Sequence, residues 1–93
     1  MVIGVLTAKL AVYEATSLKD KRRVVKSIKD RIRHKFNVSI AETDALNSRQ
    51  NTVITTAVVS NDTRYAEGCL QQVLNHIQGH RGSTLVDYTL EML

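Results

Sequence analysis

Val38-Ser39-Ile40-Ala41-Glu42-Thr43, the polar run Asp44 to Asn51, and Thr52-Val53-Ile54-Thr55-Thr56-Ala57-Val58-Val59-Ser60 form the stretch on which the fold turns. Its last part is rich in β-branched residues, which suit a pleated, half-buried surface, and its first part is a shorter strand-like run. The polar run between them has no regular apolar period, so the whole reads as two strands joined by a long hairpin tip.

A helix stands on each side of this hairpin. Upstream, Ser17-Leu18-Lys19-Asp20 has the form of a capping box, with Ser17 as N-cap and an acid three residues later. Val25, Ile28, Ile32 and Phe36 then recur at helical spacing, with Leu18 and Val24 at the edges of the stripe and Asn37 as the stop. Downstream, Ser60-Asn61-Asp62 supplies cap chemistry for a second helix whose stripe is Ala66, Leu70, Val73, Leu74 and Ile77. Its other side, Gln71, Gln72, Asn75 and Gln78, is polar and nearly uncharged, and Gly79 to Ser83 breaks the helix. At the chain ends, Val2 to Tyr13 alternates with Val2, Gly4, Leu6, Ala8, Leu10 and Val12 inward. Thr84 to Leu93 alternates with Val86, Tyr88, Leu90 and Met92 inward. The order β-α-β-β-α-β predicts an α+β, ferredoxin-like domain: a four-stranded antiparallel sheet with both helices on one face.

With 93 residues, the chain suits one domain, 1–93, burying roughly 60 to 65 % of its unfolded surface. It opens on an apolar strand-like run with no basic leader, and Lys9 interrupts that run before any spanning length. A lone cysteine, Cys69, fits a reducing compartment. These features lead us to expect a cytoplasmic protein that neither enters nor spans a membrane.

The formal charge of +4 is unevenly placed. Between Leu18 and Phe36 nine basic residues face only Asp20 and Asp30, a local charge of +7, while the remainder of the chain carries −3. Helical phase places Arg22, Lys26, Lys29 and Arg33 within about 60° of one another, a basic ridge beside the apolar stripe. This ridge can be a solvated face that keeps the domain soluble, a contact for nucleic-acid phosphates, or a contact for an acidic protein. Lys19, Lys21, Arg22 and Arg23 crowd the first turn and a half, where the helix dipole disfavours cations, and this points to an anionic partner. The candidate nucleic-acid-binding residues are Lys19, Arg22, Arg23, Lys26, Lys29 and Arg33. Lys21 shares the phase of Val25, Ile28 and Ile32, so it must snorkel out or meet a carboxylate, with Glu14, Glu42 and Asp44 as available partners.

The aromatic residues are only Tyr13, Phe36, Tyr65 and Tyr88, and the third strand has none. Base stacking across the sheet is therefore not expected, and nucleic-acid binding would be salt-sensitive and backbone-dominated, as for structured RNA. Enzymatic signals are thin. Acylphosphatases share this architecture and size, but their glycine-bounded phosphate loop has no counterpart between Val12 and Ser17. Cys69 sits by a core stripe with nothing to activate it. His76 and His80 lack a third ligand, and Gly79 separates them. Glu42 and Asp44 project from one strand face and suit ion pairs better than catalysis. We therefore expect no catalytic residue, metal, cofactor or small-molecule substrate.

The second face of the first strand offers another class of function. Ile3, Val5, Ala11 and Tyr13, with Leu85 and one face of the third strand, would leave a partly apolar surface for a homodimer or a partner protein. Thr7 and Lys9 interrupt it.

Several blocks in order carry a family resemblance: Met1-Val2-Ile3-Gly4-Val5-Leu6, Ser17-Leu18-Lys19-Asp20-Lys21-Arg22-Arg23, Phe36-Asn37-Val38-Ser39 with Ala41-Glu42, and Ala57-Val58-Val59-Ser60-Asn61-Asp62. In these the chain resembles the YlxP-like family of small bacterial proteins (domain of unknown function 503). The resemblance implies a ferredoxin-like fold and a cytoplasmic protein often encoded beside translation initiation and ribosome-maturation factors, and it supplies no catalytic residue. The loop Asp44 to Asn51 departs from some relatives in lacking a bulky aromatic residue. The expectation is a non-enzymatic accessory protein that binds structured RNA or ribosomal particles through the first helix. The alternative is an oligomeric or protein-binding module using the open sheet face.

Overall fold

The β-branched run becomes an inner strand, β3 (Asn51–Ser60), flanked by β2 (Ser39–Asp44) and β1 (Val2–Ala11); β4 (Thr84–Met92) lies beyond β1. The sheet order is β2-β3-β1-β4 and every neighbouring pair is antiparallel, as the ferredoxin-like arrangement requires. The two helices are α1 (Leu18–Lys35) and α2 (Thr63–Gln78). This computed structural model describes residues 1–93. None of its helices is long and apolar enough to cross a membrane.

The core is made by the stripes read from the sequence. Leu6, Ala8 and Leu10 of β1, Ile54 and Val58 of β3 and Ile40 of β2 meet Val25, Ile28 and Ile32 of α1 and the five expected residues of α2. Each large aliphatic side chain so buried contributes on the order of 1.5–3 kcal/mol. Period-2 alternation puts the other strand positions on an uncovered face, where Ile3, Val5, Thr7 and Lys9 pair with Val59, Ala57, Thr55 and Val53.

Three local features depart from the expected pattern, and each follows from how a strand ends or bulges. The pairing of β1 with β4 shifts between Lys9 and Leu10, so that Lys9 meets Asp87 but Leu10 meets Leu85. Val86 is the extra residue of this bulge and is 61 % exposed, while Leu85, expected on the open face, packs against the core. A bulge inverts the alternation beyond it, and that inversion cannot be seen in one strand alone. A second shift, between Glu42 and Asp44, leaves Glu42 on the helix side with Ile40 and turns Asp44 out opposite Val53, so the two carboxylates do not share a face. Third, β1 stops at Ala11 and the chain turns, with the Ala15 N–H donating to the Val12 carbonyl at 3.1 Å.

That early stop changes two of the expected interface residues. Ala11 is only 2 % exposed: its methyl is short and stands between Asn51 and Thr84, its partners on the two neighbouring strands. Tyr13 lies past the end of the strand, in the turn, and is no part of the open sheet face. Ile3 and Val5 do lie on that face, half-buried, beside Val59 and Leu93, which are 66 % and 71 % exposed.

Candidate nucleic-acid interface

The first turn of α1 is built largely as its sequence implies. Ser17 Oγ accepts from the Asp20 N–H at 3.1 Å. The Asp20 carboxylate, shorter than the usual Glu, does not close the box on Ser17; it accepts instead from the N–H and Oγ1 of Thr16, at 3.2 and 2.7 Å. Those two bonds from Thr16, with the Arg23 charge adding to them, hold the Asp20 carboxyl below the usual carboxylate range. One anion thus sits where the helix dipole favours it, among cations that the dipole disfavours.

Lys21 is not among the displayed cations. It is wholly buried, its Nζ 2.8 Å from Glu42 Oε2, the strand carboxylate among its expected partners. The ammonium also donates to the carbonyls of Ala45 (2.8 Å) and Leu46 (3.1 Å) and lies 3.4 Å from that of Asn51, which the sequence did not suggest. Glu42 Oε2 is shared with Thr52, whose hydroxyl donates at 2.6 Å.

Of the six expected contact residues, Lys19, Arg22, Arg23, Lys26 and Arg33 are exposed and Lys29 is half-buried. Lys26 lies 2.6 Å from Asp30 in a solvent-exposed pair one helical turn apart, which water and salt weaken. The Lys26 hydrogen bond, followed by the charges of Lys26, Arg33 and Lys29, holds the Asp30 carboxyl below its ordinary value. Arg33 is partly engaged: Nη2 donates to the Ile40 carbonyl of edge strand β2 at 2.9 Å. A guanidinium has five donors, so this bond fixes its direction and leaves others for an anion. The basic flank of α1 therefore runs beside β2, anchored at its C-terminal end. The only ion pairs in the chain are Lys21–Glu42 and Lys26–Asp30, so Lys19, Arg22, Arg23, Lys29 and Arg33 have no carboxylate partner.

Helical phase alone missed a second basic group. Arg31 lies on the opposite flank of α1, in a cleft of about 470 Å³ shared with Ser27, His80 and Arg81. The Gly82 N–H can only donate, so His80 Nδ1 accepts it at 3.2 Å and Nε2 carries the proton toward Ser27 Oγ, also at 3.2 Å. Burial, with the Arg31 charge adding to it, pushes the His80 pKa down. His76 packs edge-on to Phe36 with ring centroids 5.4 Å apart. The two histidines do not converge, and no group of three His, Cys, Asp or Glu side chains could hold a metal ion. Cys69 is half-buried and burial pushes its thiol up, as befits an unreactive cysteine.

Comparison with known proteins agrees with this architecture and supplies no reaction. Residues 3–90 match the model of the family described as "Protein of unknown function (DUF503)". The uncharacterized protein YlxP of Bacillus subtilis (strain 168) is 41 % identical over 75 residues, covering 81 % of this chain and 82 % of that protein. Among solved structures, a de novo designed protein with a ferredoxin fold, determined by solution NMR, superposes with a TM-score of 0.62 at 14 % identity, covering 98 % of this chain and 86 % of the other. The de novo designed protein Foldit4 gives 0.58 at 14 % identity, covering 100 % and 97 %. At such identity these two show the fold alone.

Proposed function

Because this chain belongs to the DUF503 family, whose description names neither reaction nor ligand, its role must be read from its surface, and we propose that it is a non-enzymatic accessory factor binding structured RNA, free or on ribosomal particles, through the basic flank of α1. The observation that supports this most is the set of cations on α1 that no carboxylate neutralises. With Lys21 drawn into the protein, eight basic residues of the segment Leu18–Phe36 still face only Asp20 and Asp30. Arg31 lies on the opposite flank and Lys26 pairs with Asp30, but Lys19, Arg22, Arg23, Lys29 and Arg33 have no carboxylate partner, and such charges along one helix suit a phosphate backbone. Binding of this kind positions the protein by shape and charge, without base readout at the ridge. Reversing Arg22, Lys26, Lys29 and Arg33 to Glu tests it: the parent should capture ribosomal RNA or subunits and the variant should not. Equal capture by the variant would overturn the reading.

A second reading rests on the uncovered sheet face, where Val59 and Leu93 stand exposed beside Ile3 and Val5. The occupant there would be a second copy of this chain, for Lys9 and its cross-strand partner Asp87 give that face both signs of charge. Light scattering on the parent and on Val5→Lys decides this: a parent monomeric at high concentration removes it.

A further inference from the structure

Tyr13 projects from the turn after β1 with 68 % of its surface exposed, more than Tyr65 or Tyr88. It stands between two hollows. On one side is a polar cup of about 510 Å³ lined also by Thr16, Ser48, Arg49 and Gln50. On the other is a smaller hollow of about 120 Å³ lined by both Glu14 and Arg81. Neither Arg49 nor Arg81 takes part in an ion pair. An exposed aromatic ring beside the unpaired Arg49 guanidinium, with amide and hydroxyl groups around it, suits a nucleotide: the base stacks on the ring and the phosphate meets the arginine.

The wall of the cup is held in place by the most unusual group in the protein. Position 21 continues the stripe of Val25, Ile28 and Ile32, where an aliphatic side chain would serve the core at least as well as a buried ion pair. Instead the Lys21 ammonium, with one donor on Glu42, donates to the Ala45 and Leu46 carbonyls and lies 3.4 Å from that of Asn51, tying the start of the hairpin tip to α1. Ala45 itself is held at φ 57°, a left-handed conformation that a non-glycine residue adopts only when its surroundings require it. Ser48, Arg49 and Gln50 follow directly from this fixed turn. Gln50 also joins the two walls: its carbonyl accepts the Val12 N–H at 2.8 Å and its side-chain amide lies 3.5 Å from the Tyr13 carbonyl. Thr16, on the cup's rim, immediately precedes the N-cap of α1 and donates to the Asp20 carboxylate, so the cup lies at the N-terminal end of that helix.

We infer that this cup takes one unpaired nucleotide, its base stacked on Tyr13 and its phosphate met by Arg49. The inference rests on the RNA-binding reading of α1, because the nucleotide would belong to the RNA docked there; a free mononucleotide offers the same chemistry. The test uses an RNA hairpin carrying one bulged adenosine, the same hairpin fully paired, and AMP, with the full-length parent, Tyr13→Ala, Tyr13→Phe and Arg49→Ala. Fluorescence anisotropy should show the parent preferring the bulged hairpin by about tenfold, the scale of one lost base stack. Tyr13→Ala should abolish the preference and leave affinity for the paired hairpin unchanged. Tyr13→Phe should keep it, and Arg49→Ala should reduce it. A parent that binds both hairpins equally, or a Tyr13→Ala protein that retains the preference, overturns the inference while the α1 reading stands. A parent that binds neither hairpin removes the α1 reading, and NMR titration with AMP then decides. Saturable shifts around Tyr13 and Arg49 that vanish in Tyr13→Ala sustain the cup, and their absence overturns it.

Discussion

Replacing Lys21 with Met tests the idea that the buried ammonium holds the hairpin tip. The substitution keeps a long flexible side chain in the α1 stripe and removes one charge and its donors. Glu42, whose side chain is only 12 % exposed, would keep the Thr52 hydroxyl as its remaining partner. The Ala45 and Leu46 carbonyls would lose their ammonium donor. Removing one member of a buried pair costs about 3–5 kcal/mol, and the partial exposure of Glu42 puts this case near the lower end, about 3 kcal/mol. For a domain of this size that is a fall in Tm of roughly 12–24 °C. Urea unfolding should show the midpoint shifted down with its m-value unchanged. In Lys21→Met/Glu42→Leu the stranded charge is gone, and stability should return to within about 1 kcal/mol of the parent, a coupling of about 2 kcal/mol or more. The tip carbonyls still lack their donor in that double variant, so amide exchange at Ser48 to Asn51 should remain faster than in the parent. A loss below about 1 kcal/mol for Lys21→Met, or simple additivity in the cycle, would refute this reasoning.

Other positions give sharper contrasts. Gly68 lies inside α2 with nothing within 4 Å of an added Cβ, so Gly68→Ala should raise stability by about 1 kcal/mol in urea titration. Gly4→Ala should do the opposite, by about 1–3 kcal/mol in the same assay, because its Cβ would fall 2.8 Å from Leu70 Cδ1 and 3.2 Å from both Met92 Cε and Val58 Cγ1. The Thr56 hydroxyl is buried without a partner, so Thr56→Val should match or exceed the parent, by up to about 1 kcal/mol by calorimetry. His80 has a folded-state pKa below its unfolded value of 6.5, so its contribution is present above pH 6.5 and is lost as pH falls through the lower folded value. Unfolding midpoints measured from pH 7.5 to 5 should therefore fall less steeply in His80→Gln than in the parent.

The sequence carried what local periodicity determines. The helical stripes of Val25, Ile28 and Ile32 and of Ala66 to Ile77, the Ser17 and Asp62 caps and the inward face of β1 were all legible, because each depends on residues within a few positions of one another. Features set by distant register were not. The exchange of Leu85 for Val86 and the parting of Glu42 from Asp44 arise where neighbouring strands slip by one residue. Tyr13 passed for an interface residue because alternation continues in the sequence after the strand has ended at Ala11. A carboxylate partner for Lys21 could be foreseen from charge and helical phase, with Glu42 one of three candidates, but its loop carbonyls depend on a turn at Ala45 that no residue type announces. The cleft shared by Arg31 and Arg81 depends on how α1 lies against the turn that follows α2, which no local pattern contains.

Contact between the cations of α1 and RNA phosphates has its signature in the salt dependence of binding. Four phosphate contacts predict a slope of log Kobs against log salt of about −3 to −4, on the scale of polyelectrolyte counterion release. Measured on one structured ribosomal RNA fragment, the parent should show that slope. The protein with Arg22, Lys26, Lys29 and Arg33 changed to Glu should show binding too weak to measure or a slope near zero. A parent whose affinity is indifferent to salt, or a charge-reversed protein that keeps the parent's slope, would contradict the account.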